Sequence, residues 1–152
     1  MNQFRELDID NIARIGLLFL DSDKFEEVLL DKTFGDYDEV NYNHEYFNIL
    51  KIALLKIEKI NPDVSVVTIL WQKHKDNEAL VIPVILSSQP CFGSWEEEWC
   101  VQIMNDEMKA AFNLSKQQSK TRNNGFKSNY YPMKNSNDEI VGVLEIQLKG
   151  VK

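Results

Sequence analysis

Only two cysteines, Cys91 and Cys100, occur in the 152 residues, with eight residues between them. That number and spacing exclude a disulfide framework and the CxxC pattern of a thiolate metal site. Histidine is equally scarce, and two imidazoles, His44 and His74, leave little for a positioned general base or a zinc ligand set. His44 in "NYNHEYF" suits a surface or helix-capping position, and His74 in "QKHKDNE" a solvated loop. The six glycines form no GxGxxG or GxxxxGK[ST] segment to cradle a phosphate, and GxSxG and HExxH are absent as well. No catalytic residue, metal or cofactor is therefore expected, and the chain is not read as an enzyme. No apolar run approaches the ~20 residues of a membrane-spanning helix. The opening "MNQFRELDID" has no basic segment followed by an apolar one, so the expected location is the cytoplasm.

What is present is an ordinary folding composition, 43% apolar and 27% charged, with an aromatic share of 11% that excludes a disordered chain. A chain of this length buries roughly two thirds of its unfolded surface as one domain, here residues 1–152. Charge is uneven: acids outnumber bases by 21 to 10 over residues 1–112, whereas bases outnumber acids by 7 to 3 in the last forty, for a net charge of −7. Such a field opposes nucleic acid and membrane surfaces and favours basic proteins. The basic tract "SKQQSKTRNNGFKSNYY" is better explained by cations at the end of a helix than by nucleic-acid binding.

Periodicity predicts helices first. Ile12, Ile15, Leu18, Phe19, Phe25, Val28 and Leu29 recur at steps of three and four, with "DSD" at Asp21–Asp23 breaking and capping between two helices. A third helix begins near Asn43, carries Tyr46, Phe47, Ile49, Leu50, Ala53, Leu54, Ile57 and Ile60 on a wide apolar face, and ends at "NP". The period then changes to two. "VSVVTILW" and "ALVIPVILS" predict a strand pair, with Trp71 in the core and Pro83 at an edge or a bulge. "WEEEWCVQIM" predicts a further strand, Asn105 caps a helix with Lys116, Lys120 and Arg122 near its end, and two strands joined at "KNSN" close the chain. The expected fold is α+β, with N-terminal helices packed on a mainly antiparallel sheet of about five strands in the order ααα-βββ-α-ββ.

Carboxylates and aromatics supply the candidate site. On a strand, Trp95, Glu97, Trp99, Val101 and Ile103 share one face and Glu96, Glu98, Cys100, Gln102 and Met104 the other. Val101 and Ile103 mark the first face as the core side, which turns Glu96 and Glu98 toward a partner. They would stand about 7 Å apart, but calcium loops interleave acids with glycine and this stretch does not. A second segment, "FGDYDEVNYNHEY", places Asp36, Tyr37, Asp38 and Glu39 together. Aromatic anchors with acidic rims are the composition of a surface that captures a basic protein.

A small, acidic, cysteine-poor chain with carboxylate–aromatic patches and no enzyme motif resembles the immunity proteins of bacterial contact-dependent growth inhibition systems. The resemblance is one of overall profile. It implies a cytoplasmic protein that binds and neutralises the C-terminal domain of a cognate toxin, often a basic nuclease, and carries over no individual residue. The residues expected to make that contact come from the patches themselves: Trp95, Glu96, Glu98, Trp99, Asp36, Tyr37, Asp38 and Glu39. The alternative is a small-ligand-binding or enzymatic α+β domain that uses carboxylates and tyrosines on the sheet.

Overall fold

A computed structural model describes residues 11–14, 16–17, 20–29, 41, 43–60, 62–72, 80–87, 102–114, 118–121 and 127–149. Residues 11–14 and 16–17 are helical. They precede α1 (Ser22–Glu27), α2 (Glu45–Ile60), β1 (Val64–Gln72), β2 (Leu80–Leu86), β3 (Gln102–Ile103), α3 (Asp106–Leu114), β4 (Gln118–Thr121), β5 (Lys127–Lys134) and β6 (Ile140–Leu148). The fold is α+β. Among the described residues all strand pairs are antiparallel, in the sheet order β3-β2-β1-β6-β5-β4, so the longer strands β2, β1, β6 and β5 lie between the short β3 and β4.

The extra strand relative to the expected order is β4. The helix expected to carry Lys116, Lys120 and Arg122 near its end stops at Leu114, and Gln118–Thr121 instead pairs with β5, from Gln118 opposite Tyr130 to Thr121 opposite Lys127. Ladder bonds along the open edge of β5 satisfy backbone groups that a longer helix would have paired internally. In β2 the proline produces a bulge. Ile69 faces Ile85 but Leu70 faces Pro83, which leaves Val84 as the extra residue where the ladder lacks a donor.

Both faces of the sheet are covered. On one, Phe47, Leu50, Leu54 and Ile57 of α2 join Phe25 of α1 and the strand residues Val67, Ile69, Trp71, Leu144 and Ile146. Each such side chain contributes about 1.5–3 kcal/mol by leaving water. On the other, Met104, Met108 and Ala111 pack on Leu70, Val81, Tyr130 and Val143. Cover on two sides explains why β6 is buried without alternation from Val141 to Ile146.

Two apolar expectations are corrected here. Ile49 and Ile60 of α2 are exposed, because the helix turns Phe47, Leu50, Leu54 and Ile57 to the sheet and these two point roughly a third of a turn or more away. Ile103, expected on the core side of its strand, is 77% exposed, and the core is entered by Met104, which reaches Met108 and Leu70 beneath α3.

Gly142 leaves little room for a side chain. A Cβ there would lie 3.1 Å from the Leu70 carbonyl oxygen and 3.1 Å from Phe25 Cε2, and the strand backbone cannot yield. Gly142→Ala is expected to destabilise the fold by about 1–2 kcal/mol through overpacking. Urea unfolding should show a lower midpoint at unchanged slope, and an unaltered midpoint would contradict this packing.

Candidate functional site: an acidic pole

The short helix α1 forms because Asp21 caps it: Asp21 Oδ1 accepts from the amides of Asp23 (2.9 Å) and Lys24 (3.4 Å). Phe25 and Ser22 are its buried residues, which leaves Asp21, Asp23 and Glu27 exposed and Glu26 half-buried. More than one hundred residues later, the turn between β5 and β6 is organised by one asparagine. Asn135 Oδ1 accepts from the amides of Asn137 and Glu139, both at 2.9 Å, and Asp138 takes up a φ of 63°, a region that Asp tolerates better than most residues.

The turn is clasped to the helix. Asn135 Nδ2 donates to Glu26 Oε1 at 2.8 Å, and the amide and hydroxyl of Ser136 donate to Asp23 Oδ1 at 3.1 and 3.2 Å. Together the two segments gather Asp21, Asp23, Glu26, Glu27, Asp138 and Glu139 at one end of the sheet, against only Lys24 and Lys134. Both lysines are partly engaged, Lys134 with Asp138 (3.5 Å) and Lys24 over the Tyr46 ring (5.2 Å to its centre). Beside the pole lies a groove of about 340 Å³ lined by Leu17, Leu20, Asp21 and Ser22 and by Pro132, Met133 and Lys134.

Other polar groups have structural employment. His44 Nδ1 accepts from the Tyr46 amide (3.1 Å) at the start of α2, the capping role expected of it. Asn105 Oδ1 accepts from the Met108 amide (2.7 Å) and caps α3, while its Nδ2 donates to Tyr130 Oη (3.3 Å). Ser87 Oγ accepts from the Val67 amide (2.9 Å) and donates to Glu58 Oε1 (2.8 Å), which ties the end of β2 to α2. Among the described residues no three of the types His, Cys, Asp and Glu stand where they could hold a metal ion, and no helix is long and apolar enough to cross a membrane.

The residues singled out from the sequence, Trp95, Glu96, Glu98, Trp99, Asp36, Tyr37, Asp38 and Glu39, lie outside the described residues. The exposure of Ile103 removes the ground on which Glu96 and Glu98 were assigned to the outward face. For the second segment, the anchor is described: the Asn41 amide donates to the Val28 carbonyl (2.7 Å), so the chain re-enters beside the end of α1. That is within about 9 Å of the helix start, given a rise of ~1.5 Å per residue. The carboxylates of the pole itself were not singled out, since "DSD" reads as a cap and "KNSN" as a turn and no local signal joins them.

Neither protein-family models nor curated proteins match this chain.

The clasp makes a thermodynamic prediction. In a double-mutant cycle, Glu26→Ala and Asn135→Ala should couple by about 0.5–1.5 kcal/mol of stability, the size of a hydrogen bond to a charged group that is half shielded from water. A coupling near zero in chemical denaturation would mean that the Glu26–Asn135 bond does not hold the turn to α1.

Proposed function

We propose that the chain is a cytoplasmic immunity-type protein that binds the basic C-terminal domain of a cognate toxin, a nuclease in the first instance, and neutralises it in a stoichiometric complex. The observation that carries this reading is the acidic pole, where six carboxylates on two clasped segments stand against two lysines. Carboxylates held in this way stand in for substrate phosphates toward a cationic cleft, and binding needs little further ordering of the backbone beneath them because the clasp already ties it. In this proposal Trp95, Trp99 and Tyr37 are the anchors, and Glu96, Glu98, Asp36, Asp38 and Glu39 are further acidic contacts. A second reading is favoured by the groove beside α1, whose mixed lining of Leu17, Leu20, Asp21 and Lys134 would suit a small ligand with one charged group.

The partner to use is the protein encoded by the preceding reading frame, provided that it ends in a basic domain. With Glu27→Lys and Glu139→Lys together, both side chains being exposed, association is expected to slow by roughly tenfold at low salt and to lose most of its salt dependence. Unfolding should be nearly unchanged, because the one side-chain bond lost, Asn135 Nδ2 to Glu139 Oε1 at 3.3 Å, is exposed to water. Stopped-flow or surface-based kinetics reads both quantities, and an unaltered on-rate and salt slope would remove the pole from the interface. If the reversal Glu96→Lys with Glu98→Lys alone abolishes binding, the Glu96 and Glu98 pair and not the pole carries the function. A thermal-shift screen with metals, nucleotides and sugars tests the second reading, which needs one of them to raise stability at micromolar concentration.

A further inference from the structure

α2 carries a second surface that the acidic pole does not explain. On the side of the helix facing away from the sheet, Ile49 is 46% exposed and Ile52 is 53% exposed. Glu45 and Lys56, both exposed, bracket them. The four positions follow one another at steps of four, three and four, which is the spacing of a helix–helix seam, and they span about 16 Å at ~1.5 Å per residue.

We infer that this seam pairs with the same seam of a second copy of the chain, the two helices running antiparallel. The charges choose the partner and its direction. A parallel copy would set Glu45 on Glu45 and Lys56 on Lys56. An antiparallel copy with its two-fold axis between Leu50 and Lys51 sets Glu45 against Lys56 at both ends and Ile49 against Ile52 in both layers between, so apolar and ionic matching agree in one register. Antiparallel helix dipoles add to it. A basic toxin domain is a poor occupant, because the exposed charges of α2 are Glu45 against Lys51, Lys56 and Lys59. Ile60 lies one turn beyond the last ion pair and is not required. The inference is independent of the toxin reading.

Two apolar layers bury much less than the roughly 1,200–2,000 Å² of tight complexes, so association is expected in the upper micromolar range. Sedimentation equilibrium of the full chain from roughly 10 µM to 1 mM should therefore show a monomer–dimer equilibrium. Glu45→Lys and Lys56→Glu should each weaken it by roughly ten- to thirtyfold, since either places like charges at both ends. An equimolar mixture of the two variants should recover association as a heterodimer, in which every end pair is again opposite in charge. Circular dichroism confirms that each variant is folded. A wild-type chain that stays monomeric at the highest concentration, or a mixture that associates no better than its components, overturns the inference. Loss of toxin binding in these same variants, without an effect on self-association, would assign the seam to the toxin instead.

Discussion

Strands β1 and β6 pair over Val64–Leu70 and Val143–Leu148, and both are closed in on two faces, so their amide and carbonyl groups have only each other and the neighbouring strands to bond with. Every other element is positioned relative to that ladder. β2 flanks it on one side with a proline-induced bulge, β5 flanks it on the other, and the helices fill the two faces. The close approach of Gly142 to the Leu70 carbonyl and the Phe25 ring is where the ladder, the strand partner and α1 meet.

From that ladder the acidic pole follows. β6 fixes β5, β5 fixes the Asn135 turn, and the turn meets α1 because Phe25 is buried against the same sheet. The carboxylates of Asp23 and Glu26 are consumed in part by the clasp, as acceptors for Ser136 and Asn135. Asp21, Glu27, Asp138 and Glu139 remain exposed around it. The acidity of the pole and the cohesion of the fold thus draw on the same few residues. A second surface, the outward face of α2 with Ile49, Ile52, Lys56 and Lys59 exposed, differs from the pole in both hydropathy and charge.

Much of the local structure was legible. Asp21 and Asn105 cap their helices, "NP" ends α2, Pro83 marks the bulge and Trp71 is buried, all from local chemistry whose cause lies within a few residues. Three features were not legible. β4 was hidden because "QSKT" has no alternation and is a strand only by virtue of the open edge of β5. Ile49, Ile60 and Ile103 were hidden because their apolarity does not tell which side of an element faces a core. The clasp of Ser136 and Asn135 on Asp23 and Glu26 joins residues 109 and 113 positions apart, a distance at which pattern carries no information.

By itself the sequence determined the class α+β, the caps that start α1 and α3, the end of α2, the longer strand-forming runs and the sign of the net charge, because each of these depends on side chains interacting with their own backbone or with water. Only the tertiary structure decided that helices cover both faces of the sheet, that an extra strand lengthens it, and which carboxylates converge. Those outcomes depend on which buried surfaces meet, and a surface's partner is set by packing across the whole chain rather than by anything written beside it.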